Sequence, residues 1–173
     1  YVLLNYADNL DSVFTLAHEM GHAMHTYYSN EHQSITYAGY LIFVAEVAST
    51  CNESLLMHYM LEHCEDENER KYLMTHFLDD FRTTLFRQAQ FAEFEHIAHR
   101  KMQKGEPVTK DVLNELWHEL NVQYYGPDMR VDDEISYEWM RIPHFYTPYY
   151  VYQYSTGYSA AVAFSKKILE EGK

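Results

Sequence analysis

The scarcity of helix-breaking residues limits what this chain can fold into. Only six glycines and four prolines occur among 173 residues, and none stands between Gly39 and Gly105. Pro removes a helical hydrogen bond and Gly weakens a helix interior, so these residues mark where helices end. Between them, apolar residues recur at steps of three and four, which is the period of a helix and not of a strand. The chain is therefore predicted to be mostly α.

We expect six helices, separated by the few breakers and by polar clusters. The predicted segments are 11–28, 40–63, 68–103, a helix from the Thr109 cap to about 124, 132–140, and a last helix from 154 or 156 to 171. No repeat, linker or alternating strand pattern interrupts this order. We therefore expect a single domain over residues 1–173.

Composition excludes several classes of partner. There are 26 acidic and 13 basic side chains, a net charge of -13, so neither a nucleic acid nor an anionic membrane is expected as a partner. No apolar run reaches the length needed to cross a bilayer. Cys51 and Cys64 are too few for a disulfide framework, and no signal peptide pattern opens the chain. We expect a cytoplasmic location.

The first predicted helix carries a motif with a specific chemistry. His18, Glu19 and His22 form the pattern H-E-x-x-H. Residues four apart lie one turn apart on the same helix face, so the two imidazoles can reach one metal ion, and two neutral imidazoles suit Zn²⁺. Glu19 lies one position along, where it can reach a water on the metal and act as a general base.

Catalytic zinc usually has three protein ligands and one open position, so a third ligand is expected on another element. The helix continues after His22 without the further histidine of the metzincin variant. Glu46 fits better, because it lies in a small and apolar helical stretch where an unpaired carboxylate would be costly to bury. We therefore predict one zinc ion per chain, bound by His18, His22 and Glu46.

These motifs resemble a known family. The run from His18 to His25, Glu46 followed by Ala48-Ser49, and the segment 144–154 (HFYTPYYVYQY) are similar to the oligoendopeptidase F group of thimet-oligopeptidase-like zinc peptidases. The resemblance implies a multi-helix zincin-type catalytic domain, with H-E-x-x-H on one helix and the third zinc ligand on the next. It implies the same ligands, with Glu19 as the base.

The resemblance also implies that His144 and a nearby tyrosine stabilise the oxyanion. We favour Tyr150, while Tyr149, Tyr152 and Tyr158 stay open. Members of the family are several times longer, so we expect this chain to be a C-terminal catalytic part whose missing N-terminal portion completes the cleft.

The predicted function is zinc-dependent hydrolysis of internal bonds in short oligopeptides, by a zinc-bound water that Glu19 activates. One alternative is a zinc carboxypeptidase, which needs a positive side chain for the substrate carboxylate, and Arg141 is the candidate. The other alternative is a non-catalytic helical module that binds peptides and carries a zinc site.

Three further positions carry expectations of their own. Glu53 lies seven residues after Glu46, hence on the same helix face, and is expected to support a ligand histidine. His25 is expected to have a supporting or packing role. His96 and His99 are three residues apart on the third predicted helix, and a solvated face explains them better than a second metal site.

Overall fold

The computed structural model describes residues 2–172, and these residues form helices without any β-strand. The mostly α prediction is confirmed. The α-helices are α1 (Leu10–His32), α2 (Ile42–His63), α3 (Glu67–Phe81), α4 (Arg87–Gln103), α5 (Lys110–Tyr125) and α6 (Tyr152–Glu171). A π-helical segment (Arg82–Phe86) joins α3 to α4, and 3₁₀ helices cover Asp133–Arg141 and Pro143–Tyr146. Within the described range, no helix is both long enough and apolar enough to cross a membrane.

Polar side chains cap the start of two helices, and one of these caps, Thr109, was predicted. Asn9 caps α1 by accepting a hydrogen bond from the Ser12 amide, and Thr109 caps α5 by accepting one from Val112. The C-cap of α5 is Gly126, whose φ of 78° lies in the region that glycine adopts most easily. These local contacts satisfy backbone groups that the helices leave unpaired.

The predicted helix over 68–103 is interrupted, because residues 82–86 form a π turn. A π turn holds one extra residue and leaves carbonyl groups without their usual helical partners. The Ser155 hydroxyl donates to the Leu85 carbonyl at 2.9 Å, and this side chain comes from a distant part of the sequence. Periodicity alone therefore could not indicate the interruption.

The described chain forms two compact units. Unit 2 is Arg82–Ser155, and unit 1 comprises the residues up to Phe81 and from Thr156 onwards. The single catalytic domain expected over residues 1–173 stays a prediction.

Unit 1 is built around the packing of α1 on α2. Its core contains Phe14 from α1, Met57 from α2 and Leu73 from α3, all buried. The hydroxyl groups of Ser54 and Ser165 are 2.8 Å apart in the interior and connect α2 to α6. Each large buried apolar side chain contributes about 1.5–3 kcal/mol relative to an exposed one, so these contacts keep the two long helices together.

Unit 2 has an aromatic core. The ring of Trp117, on α5, lies 5.1 Å from that of Phe91 and 4.9 Å from that of Phe94, both on α4. Ile142 and Val151 complete the buried cluster from the irregular segment that follows α5. This segment, which contains His144, is thus fixed to the unit by two buried aliphatic side chains.

Candidate metal centre

Three potential metal ligands come together where α1 faces α2. The rings of His18 and His22 lie one turn apart, with centroids 4.7 Å apart and planes at 86°. Oxygens of Glu46 lie 3.6 Å from His18 Nε2 and 3.9 Å from His22 Nε2. One donor atom from each residue lies within 4.8 Å of the others, and among residues 2–172 this is the one group of its kind. The structure thus brings together all three predicted ligands.

Gly21 explains how α2 comes so close. A Cβ atom at this position would lie 2.6 Å from Ser49 Cα and 3.0 Å from the Ala48 carbonyl oxygen. Any side chain here would therefore collide with the backbone of α2. In the sequence Gly21 is only one more position on the apolar face, and its spacing does not reveal this role.

Two neighbouring residues of α2 contact α1 beside the ligands. The Asn52 side chain donates a hydrogen bond to the Ala17 carbonyl at 2.6 Å. Glu53 Oε1 contacts His18 Nδ1, as its position on the helix face predicted. Asn52 was not predicted, since an Asn inside a helical pattern does not show which backbone group it faces.

The contact with Glu53 restrains the orientation of the His18 ring. When Nδ1 carries the proton that it donates to Glu53, the lone pair at Nε2 is free and lies on the side of Glu46. Burial lowers the pKa of His18, but the hydrogen bond to Glu53 and the charges of Glu53, Glu46 and Glu19 outweigh it and raise the pKa above its ordinary value. The three carboxylates around His18 therefore favour a positive charge at this position.

Glu19 stays outside the ligand group. It is half-buried, follows His18 on α1, and acts electrostatically on His18. His25, one turn beyond His22, stacks on Tyr40 with ring centroids 4.0 Å apart, which fits the expected packing role. Neither Glu19 nor His25 therefore belongs to the ligand group.

A second cluster, in unit 2, contains the other predicted catalytic residues. The rings of His144 and Tyr150 stack with centroids 5.8 Å apart and planes at 20°. The Tyr154 hydroxyl lies 3.5 Å from His144 Nε2 and 3.4 Å from the Tyr150 hydroxyl. Tyr154 was neither the favoured tyrosine nor one of the three left open, although it lies four residues after Tyr150. The structure thus groups His144 with two phenols.

The remaining candidate tyrosines differ in their surroundings. Tyr149 stacks on His99, with ring centroids 5.0 Å apart, and Tyr152 is exposed. Tyr158 lies in unit 1 and is 4% exposed, and burial, together with Asp80 and Glu53, raises the pKa of its phenol far above the ordinary value. Among these candidates, Tyr150 is the one whose ring stacks on His144.

The chain is similar in sequence and structure to several known proteins. The profile of peptidase family M3 matches residues 1–173. The chain is 55% identical to oligopeptidase PepF of Bacillus subtilis over 100% of its length, and 48% identical to the chromosomal oligoendopeptidase F of Lactococcus lactis subsp. cremoris over 98%. Among solved structures, the oligoendopeptidase-F of Enterococcus faecium superimposes with a TM-score of 0.82 at 51% identity, covering 94% of this chain.

These relatives are longer than the chain. It spans 26% of the Bacillus protein, 28% of the Lactococcus protein and 29% of the Enterococcus structure. The similarity thus covers nearly all of this chain and about a quarter of each relative.

Proposed function

Because the chain belongs to peptidase family M3, we propose that it is the zinc-binding part of an endopeptidase that hydrolyses internal bonds of short oligopeptides. The observation that carries the proposal is the group formed by His18, His22 and Glu46, whose donor atoms lie within 4.8 Å of one another. Two relatives are named as an oligopeptidase and an oligoendopeptidase, which supports this substrate class.

The donor set suits zinc. Two imidazole nitrogens and one carboxylate oxygen form a common ligand set of catalytic zinc, which leaves one position open. The oxygen-to-nitrogen distances of 3.6 and 3.9 Å are close to the spacing of ligands around one small ion. When bound, zinc supplies a Lewis acid that polarises the scissile carbonyl group and makes water acidic enough to lose a proton near neutral pH.

In this proposal Glu19 is the general base and later the general acid. Its carboxylate accepts a proton from the attacking water and later delivers that proton to the leaving amine. Glu53 holds the proton on His18 Nδ1, so that Nε2 keeps its lone pair. We propose that His144 and Tyr150 donate hydrogen bonds to the oxyanion, where a single donor is worth about 2.7–4 kcal/mol.

The carboxypeptidase alternative is less well supported. Its candidate anchor, Arg141, donates to Glu138 Oε1 at 2.5 Å, and Arg87 donates to the same oxygen. A guanidinium already paired with a carboxylate is a poor receptor for the terminal carboxylate of a substrate. The non-catalytic alternative makes a different prediction, which is peptide binding without cleavage.

The proposal also covers the rest of the substrate cleft and the location of the protein in the cell. Since the chain spans about a quarter of each relative, we propose that an N-terminal portion of the complete protein forms the rest of the substrate cleft. A cytoplasmic location is also proposed, and it is supported by the two cysteines of the chain, neither of which forms a disulfide.

The test combines metal content with cleavage of a peptide that is blocked at both ends. We expect about one zinc per chain, lost in His22→Ala, and cleavage that is abolished in Glu19→Gln while zinc stays bound. Glu31→Gln, an exposed carboxylate on the same helix, is the matched control and should behave as the unmodified protein.

The results separate the alternatives. Cleavage only when the peptide has a free C-terminus would indicate a carboxypeptidase. Zinc and peptide binding without any cleavage would indicate the non-catalytic module. Full cleavage by Glu19→Gln would overturn the assigned base.

A further inference from the structure

A buried carboxylate in unit 2 has no part in the function described so far. Glu95, on α4, is only 5% exposed. Burying a carboxylate is costly unless it is hydrogen-bonded. Its partner is a backbone group, because the Tyr149 amide donates to Glu95 Oε1 at 2.6 Å. The bond connects α4 to the segment that carries the tyrosine cluster.

The residue held by this bond has an uncommon backbone conformation. Tyr149 has a φ of 56°, in the left-handed region that residues with a side chain rarely adopt. Such a conformation persists only when its surroundings enforce it. Here the Glu95 carboxylate holds the amide, and the Tyr149 ring stacks on His99, whose Nε2 lies 3.8 Å from Glu95 Oε1.

This turn fixes the residue that follows it. Tyr150 lies between Tyr149, held by Glu95, and Val151, which is 1% exposed. The Tyr150 carbonyl also accepts a hydrogen bond from the Gln153 amide at 3.2 Å. The backbone on both sides of Tyr150 is therefore fixed, and its ring is placed against His144.

We propose that Glu95 is a positioning residue, which holds the Tyr149 turn and thereby keeps Tyr150 stacked on His144. The inference rests on the proposed function, in which these two side chains donate to the oxyanion. What matters is the length of the Glu95 side chain, which allows its oxygen to accept the hydrogen bond from the Tyr149 amide. Misplacing a catalytic group by about 1 Å can slow a reaction about 100-fold.

Two substitutions of Glu95 distinguish the effect of its side-chain length from the effect of its charge. Glu95→Asp keeps the negative charge, but its side chain is one methylene too short to reach the amide. Glu95→Gln loses the charge and keeps an oxygen acceptor at the same reach. Glu93→Asp is the matched control, because Glu93 lies on the same helix and accepts a bond from the Tyr124 hydroxyl, away from the Tyr149 turn.

The experiment measures kcat and KM of the complete, zinc-loaded protein on a blocked peptide. In Glu95→Asp we expect kcat to fall about 10- to 100-fold with KM within about twofold, since donors aimed at the transition state are misplaced. Glu95→Gln should restore kcat to within about threefold, and Glu93→Asp should leave it unchanged.

A second readout does not depend on activity. Because the Tyr150 ring stacks on His144, it should shift the NMR signal of the His144 Cε1 proton, which can be assigned by its loss in His144→Gln. We expect this signal to move in Glu95→Asp and to keep its position in Glu95→Gln and Glu93→Asp. An unmoved signal in Glu95→Asp, or an equal loss of kcat in the Asp and Gln variants, would overturn the proposal.

The failure of the proposed function has a different signature. Full cleavage by Glu19→Gln would reject the proposed mechanism. The NMR signal of His144 would then be the measurement that tests whether Glu95 positions Tyr150. Loss of cleavage in Glu19→Gln together with a fully active Glu95→Asp would retain the mechanism and reject the positioning role.

Discussion

Gly21 on α1 touches the backbone of Ser49 on α2 so closely that a methyl group at position 21 would lie 2.6 Å from the Ser49 Cα atom. The contact lies beside His22, and Glu46 lies three residues before Ser49. Any separation of the helices at this point therefore moves Glu46 away from the histidines.

Gly21→Ala should weaken both stability and metal binding. Overpacking costs about 1–3 kcal/mol, which offsets the roughly 1 kcal/mol that Ala gains over Gly in a helix. Because the colliding atoms are backbone and cannot rotate away, the overpacking cost should lie in the upper part of that range, at about 2–3 kcal/mol, which leaves a net loss of about 1–2 kcal/mol. Urea unfolding and zinc titration measure the two effects. Gly39→Ala is the control, since a methyl group there would meet no atom within 4 Å, and it should change stability by less than about 0.5 kcal/mol.

Glu53→Ala should reduce zinc affinity without removing a ligand. The contact with His18 Nδ1 restrains the imidazole and favours the tautomer that carries its proton on Nδ1. Loss of such a partner typically lowers metal affinity about 10- to 100-fold. Competition with a fluorescent chelator measures the dissociation constant. Glu62→Ala, an exposed position on the same helix, should bind zinc as the unmodified protein does, and equal affinity in the two variants would contradict the assigned role.

The tyrosine cluster predicts an order of effects on catalysis. Tyr150→Phe should lower kcat about 100-fold, because it removes a donor to the oxyanion. Tyr154→Phe should have a smaller effect, since its hydroxyl lies 3.4 Å from the Tyr150 hydroxyl and acts through it. Steady-state kinetics on a blocked peptide provide both values, and Tyr137→Phe, an exposed tyrosine of unit 2, is the control. The reverse order would assign the donor role to Tyr154.

Tyr124 should make stability depend on alkaline pH. Burial, the hydrogen bond to Glu93 and the charge of Glu93 raise the pKa of Tyr124 to about 12. An unfolded tyrosine has a pKa of about 10. Between these values the unfolded state loses its proton first, so the stabilising contribution is complete below pH 10 and is lost as the pH rises towards 12.

The test of Tyr124 is a pair of titrations. Absorbance of the phenolate in the unmodified protein, minus that of Tyr124→Phe, should show one late transition. Glu93→Gln should move this transition to lower pH, because it removes the negative charge beside the phenol. A transition near pH 10 in the unmodified protein would contradict the raised pKa.

Local rules predicted the ligand set and most of the helices, but the predicted helix over 68–103 is interrupted by a π segment, and the one predicted over 132–140 is a 3₁₀ helix. The scarcity of Gly and Pro predicted the long helices, and α2 ends at the predicted His63. His18, His22 and Glu46 were identified because metal-binding side chains follow a short spacing on one helix and stand out in an apolar stretch on the next. Whether these residues bind zinc in solution stays a prediction.

Contacts between distant residues could not be read from local patterns. The Asn52 bond to Ala17, the Ser155 bond to the π segment and the Glu95 bond to Tyr149 each join residues at least 35 positions apart. Polar residues of these types also suit a solvated helix face, so the sequence contains no signal that separates the two roles. Only the packing of the helices brings each donor to its acceptor.

The three ligands belong to two consecutive helices joined by the short segment 33–41, and this has a consequence for the order of folding. Contacts between neighbours in sequence close small loops, and small loops have a low entropic cost and form quickly. The α1–α2 pair is such a contact, and it contains all three donors. During synthesis, the pair leaves the ribosome before α3 and the whole of unit 2. We therefore expect the metal-binding geometry to form early, while the segment with His144 and Tyr150 is still to be made.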